Sequence, residues 1–531
     1  MHCRQIATAL IKILAFAGVN LTLILIVLPV KADTIIHNDE DRSDAIQMPM
    51  QSIPEIIPGA NPNVLPGSGF SIGTNFTGVS LRTVQTLNGF GIIPPDTMGA
   101  VGPNDFVEFV NGAFADYNKS NGTARQLISD TRFWQNVVGI SSNLLSQGVT
   151  DPRVLYDPVS QRWFAAEITA GTGNNNILIA VSGGSAPTGW KGVSFAADSG
   201  TNFGDYPTLG LNANGVYLAT SNFNSSDNFV DTTVVSIPKA NLLLPTPTAA
   251  NKTTFDHLQS SRVGFTVQPT VDLSGSTSSN EILLSSNFGS SNVLHRTDLL
   301  NTSGPGASIT GTTNISVTSY DNPPLASQPD GTRSLDSGDT RLSSNVYKVG
   351  NNLWVAHSTV DFVTGRDDIQ WFEIDATTNN VLQSGNIGDS THDYYYPSIA
   401  ANQSGNVVIG FTRSGTGSTD FPSSYAVVGR TVGNLTTFSS PQLLHSGNAS
   451  YNLTFGGSRN RWGDYSATTI DPTDPFSFWT IQEYAAASNN WVTQITQIRV
   501  VPEPSEVLGT LAFGTLGAGY LLKRQFKKAT V

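Results

Sequence analysis

Aspartate and arginine side chains recur at matching points of a weak sequence repeat. Each repeat begins at a polar residue and continues as an apolar stretch, a turn and a second apolar stretch. Five of the starts are Asp96, Asp151, Asp205, Asp339 and Asp464. Arg153 and Arg341 each follow such an Asp by two residues, on the same face of a regular strand, and Arg461 shortly precedes Asp464. Several carboxylates around one axis suit a hard cation such as Ca²⁺, and arginines suit an acidic sugar.

The spacing of the repeats predicts the architecture. Two further starts, Gln268 and Tyr395, bring the repeats to seven, and the spacing is enough for a four-stranded sheet with one long loop. No stretch of the body keeps a helical period, so we predict an all-β protein, a seven-bladed β-propeller. A pair of β-sandwiches or a β-helix is the competing fold, and the long repeat disfavours the β-helix. In a propeller, the first strand of each blade lines the central channel, which would bring the starts together.

The same residues have a structural interpretation. An Asp at a strand start often accepts backbone N–H bonds, and an Asp–Arg ring can simply hold neighbouring blades together. Trp163, Trp354 and Trp479 fall in second strands and are predicted to pack between blades. Trp462, in a loop beside Arg461, is predicted to stack on a sugar ring at the channel mouth.

Two functions are weighed for this body. The first is a non-catalytic propeller that binds polysaccharide, a protein or a cation at the channel mouth. The alternative is a secreted glycan-acting hydrolase of sialidase-like architecture, with Arg153, Arg341 and Arg461 as an arginine triad and Glu483 with Tyr484 as a nucleophile pair. The repeated Asp-box of sialidase-type propellers is missing here, and Glu483 is expected to lie away from the arginines. The binding function is therefore the main prediction.

Composition excludes several other classes of protein. Charged residues make up 13% of the chain, compared with about 25% in an average soluble domain, and the formal net charge is −12. Such a chain repels polyanions, so nucleic acid is not an expected partner. The seven histidines are scattered without a zinc-binding spacing, and the single cysteine, Cys3, precludes an intrachain disulfide.

The N-terminus has the sequence features of an export signal. Arg4 and Lys12 precede a mostly apolar run over residues 13–30, and Val30-Lys31-Ala32 supplies small residues at the −3 and −1 positions of a cleavage site. Residues 1–32 are therefore predicted to be a signal peptide. Residues 33–90, with several prolines and glycines, are predicted to be a linker or arm, and residues 91–500 the propeller. A strand over 76–81 within the arm would complete the last blade.

The C-terminus carries a three-part tail over residues 501–531. Pro502-Glu503-Pro504 comes first, then an almost uncharged stretch over 507–522, then four basic residues. As a helix, that stretch would rise about 24 Å, somewhat less than a bilayer core of about 30 Å, and the basic end would stay in the cytoplasm. The tail resembles the PEP-CTERM sorting signal of Gram-negative bacteria. The resemblance implies an exosortase as processing partner, an inner-membrane anchor before processing, and then release to the cell surface or extracellular matrix.

Overall fold

A computed structural model describes residues 46–49, 69–171, 173–454 and 459–501. Strands make up 53% of the structure and helices 6%. The predicted all-β class and β-propeller architecture are confirmed. The predicted signal peptide, and the sorting tail beyond Val501, lie outside the described residues. Among the residues described, no helix is long and apolar enough to cross a membrane.

The first three elements belong to the predicted arm, and the fourth begins at its last residue. These four elements are β1 (Ile46–Pro49), β2 (Phe70–Ser80), helix α1 (Leu81–Asn88) and β3 (Phe90–Ile93). The Ser80 hydroxyl accepts the Thr83 N–H at 3.1 Å and caps α1, and Gly89 ends the helix with φ 81°. Strand β1 pairs with β3, so backbone pairing connects the sequence on both sides of residue 90, and the boundary there stays a prediction.

The next three groups of strands are antiparallel meanders. Unit one contains β4 (Met98–Val101), β5 (Asp105–Val110), β6 (Ala113–Asn118) and β7 (Ala124–Ile128). Helix α2 (Asp130–Arg132) and a π-helix (Phe133–Val138) lead to unit two: β8 (Val149–Asp157), β9 (Arg162–Thr169), β10 (Asn176–Val181) and β11 (Lys191–Ala196). Unit three contains β12 (Phe203–Leu211), β13 (Gly215–Phe223), β14 (Phe229–Pro238), α3 (Lys239–Leu242) and β15 (Thr253–Leu258).

The remaining strands repeat this arrangement. Helix α4 (Ser260–Val263) precedes unit four: β16 (Phe265–Val271), β17 (Glu281–Ser286), β18 (Ser291–Leu300), β19 (Ser308–Ile309) and β20 (Thr313–Tyr320). A 3₁₀ turn (Pro329–Gly331) precedes unit five: β21 (Val346–Val349), β22 (Asn352–Val360), β23 (Asp367–Asp375) and β24 (Val381–Ile387). Unit six contains β25 (His392–Ala401), β26 (Asn406–Gly415), β27 (Ser423–Val432), β28 (Leu435–Phe438) and β29 (Gln442–His445).

The last sheet joins the two ends of the body. Strands β30 (Ala467–Asp471), β31 (Asp474–Ala487) and β32 (Asn490–Val500) form a meander, and β2 pairs antiparallel with β32 as its fourth strand. The predicted return of an N-terminal strand is seen, although the strand is longer than expected. Units three, four and five are joined by parallel pairing of β12, β16 and β21 into one 13-stranded sheet, so the blade number of seven stays a prediction.

Apolar faces of the second and third strands pack between units. Trp163, Trp354 and Trp479 lie in β9, β22 and β31 and are at most 3% exposed, so their predicted packing role is supported. The two largest clusters of buried side chains each draw on units from both halves of the chain. This packing keeps the first strands in place around the axis.

The first strands share a backbone irregularity near their starts. Asp151, Tyr206, Thr266 and Tyr396 have φ between 50° and 61°, each within a register shift of β8, β12, β16 or β25. A bulge of this kind interrupts the period of two and redirects the following side chains. Positive φ is uncommon for residues other than glycine and concentrates at functional sites. The repeated bulge therefore lies near the start of these first strands, close to the predicted site residues.

Candidate active site at the channel mouth

A small polar pocket of about 20 Å³ opens among unit five, unit six and the last sheet. Its charged and aromatic lining consists of Asp339, Arg341, Tyr396, Arg459 and Asp464. Ser337, Ser343 and Ser358 add hydroxyl groups. The structure therefore brings three of the predicted site residues, Asp339, Arg341 and Asp464, to one cavity.

Asp339 and Arg341 form a tight pair ahead of β21. The Arg341 Nε donates to both oxygens of Asp339 at 2.9 Å, and Nη2 donates to Oδ2 at 2.6 Å. The Arg341 guanidinium also lies 4.4 Å from the centre of the Tyr206 ring. The side chains of Asp339 and Arg341 are only 11% and 15% exposed, respectively. The ion pair therefore fixes the position of the Asp339 carboxylate in the wall of the pocket.

Asp464 is the second carboxyl group of the pocket. Its Oδ2 accepts from Arg461 Nη2 at 2.8 Å, and its backbone oxygen accepts from the Tyr206 hydroxyl at 3.1 Å. Burial raises the pKa of Asp464, although the nearby guanidiniums of Arg461 and Arg341 act in the opposite direction. Two carboxyl groups in different electrostatic surroundings therefore face the same cavity.

Arg459 is a pocket residue that the sequence interpretation missed. Its Nε and Nη2 both donate to Asp336 Oδ2 at 2.6 Å, and its side chain is 30% exposed. Tyr396 donates its hydroxyl to the Asp336 backbone oxygen at 3.2 Å and forms part of the pocket wall. The signal was present in Arg459-Asn460-Arg461, where a second arginine lies two residues before the predicted one.

A layer of buried acids lies behind the pocket. Asp96 Oδ2 accepts from Asn111 Nδ2 at 2.6 Å, and Glu483 Oε1 accepts from the Thr97 hydroxyl at 2.9 Å. Burial raises both pKa values well above the ordinary range, and the charge of Asp464 adds to each shift. Glu483 shares an electrostatic environment with Asp96 and Asp464, while its predicted separation from Arg153, Arg341 and Arg461 stays a prediction. Burial therefore favours the protonated form of both acids.

Tyr484 does not form the predicted pair with Glu483. Consecutive residues of β31 point to opposite faces, and the Tyr484 ring stacks on His445 at 3.9 Å. A nucleophile pair of the sialidase type is therefore not built from these two residues.

Asp151, Asp205 and Arg153 lie in the buried interior. Burial, followed by the charge of Asp205, raises the pKa of Asp151 far above its ordinary value, and the two side chains are hydrogen-bonded to each other. Arg153 is 1% exposed, donates from Nε to the Pro207 backbone oxygen at 2.8 Å, and stacks 3.5 Å from the centre of the Tyr465 ring. The predicted role of Arg153 in an arginine triad is wrong, because its guanidinium is used inside the protein.

Trp462 is not available as a sugar platform. Its side chain is 1% exposed and packs edge-on against Tyr451 with ring centres 5.0 Å apart. The predicted stacking role is corrected to a packing role, because both faces of the ring lie inside the protein.

The predicted Ca²⁺ ring is likewise not formed. Asp339 and Asp464 are ion-paired with arginines, and Asp151 is hydrogen-bonded to Asp205. Within the described ranges, the one group of at least three candidate ligand atoms within 4.8 Å of one another lies elsewhere, at Asp198. These ion pairs and this hydrogen bond engage four of the five aspartates within the protein, and Asp96 accepts a hydrogen bond from Asn111 instead.

Comparison with known proteins returns structures only, since no family model and no curated protein matches the chain. An α-L-arabinanase of Penicillium chrysogenum is 11% identical, with a TM-score of 0.37 over 82% of this chain and 99% of that one. The α-L-arabinofuranosidase Arb93A of Fusarium graminearum is 10% identical, with a TM-score of 0.34 over 76% and 93% of the two chains. A subtype N10 neuraminidase-like protein of A/little yellow-shouldered bat/Guatemala/060/2010 is 8% identical, with a TM-score of 0.32 over 71% of this chain and 100% of that one.

These neighbours contradict the predicted non-catalytic binding propeller. They are glycoside hydrolases and a neuraminidase-like protein, which agrees with the alternative of a glycan-acting enzyme. At such low identity and TM-score, the likeness concerns the fold and assigns no residue. The residues of its own pocket determine the chemistry of this chain.

Proposed function

We propose that the protein is a secreted glycan-acting hydrolase whose active site is the channel-mouth pocket. The observation that carries the proposal is the pair of carboxyl groups, Asp464 and Asp339, facing one cavity in different surroundings. Glycosidases use one carboxylic acid as proton donor and one carboxylate as base or nucleophile. Glycosidases place these two groups in different surroundings.

The roles follow from the contacts of each residue. Asp464, whose pKa is raised by burial, is the candidate general acid for the leaving sugar oxygen. Asp339, held by Arg341 at 2.6–2.9 Å, is the candidate carboxylate that activates water or attacks the sugar. Tyr396 offers an aromatic wall, and the serine hydroxyls offer hydrogen bonds to sugar hydroxyls.

The charge of the pocket bears on the kind of sugar it accepts. Arg341, Arg459 and Arg461 are matched by the carboxyl groups of Asp339, Asp336 and Asp464. Because each of these guanidiniums already has a carboxyl partner within the protein, we expect the pocket to suit neutral sugars rather than strongly acidic ones.

Incubation of the purified chain with a panel of neutral and acidic polysaccharides tests the proposal. We expect new reducing ends from at least one neutral glycan, and no absorbance from the unsaturated product that a lyase would leave. Detection of unsaturated ends would show that the protein cleaves glycans by elimination rather than by hydrolysis. A panel left intact, with the chain folded by circular dichroism, would count against catalysis at this pocket.

Export is part of the proposal and rests on the two ends of the sequence. The signal at Val30-Lys31-Ala32 supports secretion, and the tail beginning at Pro502-Glu503-Pro504 supports handling by an exosortase. We propose an inner-membrane intermediate and then delivery to the cell surface or extracellular matrix. Polysaccharide in that matrix is the expected partner of the pocket.

Two cuts are expected during maturation in a host that has an exosortase. The surface form should lack residues 13–30 and 507–522. The first segment lies on the N-terminal side of the signal-peptide cleavage site, and the second lies on the C-terminal side of Pro502-Glu503-Pro504. Intact-mass analysis of surface material measures this directly, and a variant with Pro502 and Pro504 changed to Ala serves as control. Full-length chain retained in the inner membrane of the wild type would contradict the sorting proposal.

A further inference from the structure

Three carboxyl groups and one imidazole meet at the outer rim of unit three. Asp198 lies in the connection between β11 and β12, Asp231 in β14, and Asp256 and His257 in β15. One ligand atom from each residue lies within 4.8 Å of the others. None of the four residues lines the channel-mouth pocket, so this cluster is separate from the proposed active site.

The donors are held in place by their own hydrogen bonds. Asp231 Oδ1 accepts from Asn222 Nδ2 at 2.7 Å, which leaves Oδ2 2.8 Å from His257 Nδ1. Asp256 Oδ1 accepts from the Thr233 hydroxyl at 2.7 Å, and its Oδ2 lies 3.9 Å from His257 Nε2. The imidazole therefore sits between two carboxylates whose other oxygens are already fixed.

Asp198 supplies an independent indication of a ligand. The residue is 1% exposed, and its Oδ2 accepts the backbone N–H groups of Gly200 and Asn202 at 2.9 and 3.1 Å. Its Oδ1 is buried and has no hydrogen-bond partner in the structure. A buried carboxylate oxygen without a partner is costly, and the neighbouring carboxylates only increase that cost. A cation bound in the cluster would remove it.

We infer that Asp198, Asp231, Asp256 and His257 form a binding site for one divalent transition-metal ion such as Zn²⁺ or Mn²⁺. Carboxylates alone would suit Ca²⁺ or Mg²⁺, but an imidazole nitrogen favours transition metals. Metal–ligand bonds of about 2.0–2.2 Å place ligand atoms at most about 4.4 Å apart, so small movements of these side chains complete the site.

The position of the site implies a structural role. The ion would connect the chain between units two and three to β14 and to β15, the outermost strand of unit three. An outermost strand has one unpaired edge, and a metal tie holds it against the sheet. Binding is therefore expected to raise the melting temperature of the protein.

Calorimetric titration of the purified, chelator-treated full-length chain tests the inference. We expect one Zn²⁺ or Mn²⁺ per chain, with Ca²⁺ bound at least tenfold more weakly, and a higher melting temperature with Zn²⁺ or Mn²⁺. His257→Ala and Asp198→Asn should each weaken binding at least tenfold and remove the thermal shift. The His257 side chain is 59% exposed, so its replacement leaves the fold intact even if Asp198→Asn does not fold.

A matched control comes from the only other histidine described with two carboxylates as ion partners. His392 lies 2.9 Å from Asp389 and 3.5 Å from Asp420, but no third carboxylate completes a ligand group there. His392→Ala should leave the stoichiometry and affinity unchanged. The inference fails if Zn²⁺ and Mn²⁺ do not bind, if Ca²⁺ binds equally well, or if His257→Ala binds them like the wild type.

Discussion

Replacement of Asp464 with Asn is expected to lower kcat for glycan cleavage by roughly 10²–10⁴-fold, the usual contribution of a general acid. Asparagine keeps the shape of the side chain and can still accept the 2.8 Å bond from Arg461, but it cannot supply a proton. KM should stay within a few-fold of the wild-type value, because the residue acts on the transition state rather than on ground-state binding. Initial rates across substrate concentrations separate the two parameters.

Asp339→Asn should cause a loss of similar size, since it removes the second carboxyl group of the proposed pair. Asp298 provides a matched control, because it also forms an ion pair with the Nε and Nη2 atoms of an arginine two residues away. Arg296 Nε and Nη2 donate to it at 2.8 and 3.0 Å, outside the channel-mouth pocket. Equal losses in Asp298→Asn and Asp339→Asn would show that a broken ion pair, not lost chemistry, explains the effect. Wild-type rates in Asp464→Asn would remove this pocket as the active site.

The repeat pattern predicted where the site lies better than it predicted which side chains reach it. Each repeat start falls in or just before a first strand, and the propeller brings Asp339 and Asp464 together although 125 positions separate them. That convergence follows from the fold class alone. It required only that the starts be aligned and the radial architecture inferred.

The failures arise where local geometry breaks a simple period. Counting two residues places Arg153 on the same face as Asp151, but the bulge at Asp151, with φ 61°, interrupts that count. The loop-like sequence around Trp462 predicts a ring that can reach a sugar, whereas the ring fills a buried space against Tyr451. The spacing of residues along the sequence predicts neither backbone bulges nor the packing around a loop.

The cluster at Asp198 illustrates a second limit. Asp256 and His257 are adjacent in sequence, but Asp198 and Asp231 come from separate elements, and no spacing motif links the four. Only the register of β14 on β15 and the path of the β11–β12 connection bring them together. A search for compact metal-binding motifs therefore passes over this group.

The stability of the protein is expected to fall as pH rises, in part because of Glu281. This side chain is 2% exposed, and burial raises its pKa to about 8 from an ordinary value of 4.5. Below pH 4.5 the group is protonated in both the folded and unfolded chain. Between pH 4.5 and about 8 only the unfolded chain is ionised, so the folded state loses about 1.4 kcal/mol per pH unit. The total loss across this window is roughly 5 kcal/mol.

Glu281→Gln should flatten this dependence, because glutamine stays neutral in both states at every pH. Two side chains now donate hydrogen bonds to Glu281, the Thr270 hydroxyl at 2.7 Å and Asn212 Nδ2 at 2.8 Å. The single amide oxygen of glutamine can still accept one hydrogen bond. Denaturant unfolding at intervals from pH 4.5 to 9 gives the slope of the unfolding free energy for each variant. The variant should gain on the wild type as pH rises and reach its largest advantage above pH 8.

Asp375→Asn distinguishes this effect from a general change in charge. Backbone N–H groups of Thr378 and Thr377 donate to Asp375 and hold its pKa below the ordinary value of 3.8. Its contribution to stability is therefore present above pH 3.8 and is lost only as pH falls further. Its removal should lower stability by a constant amount between pH 4.5 and 9 without changing the slope. If both variants flatten the slope equally, or if Glu281→Gln leaves it unchanged, a buried neutral Glu281 is not the cause.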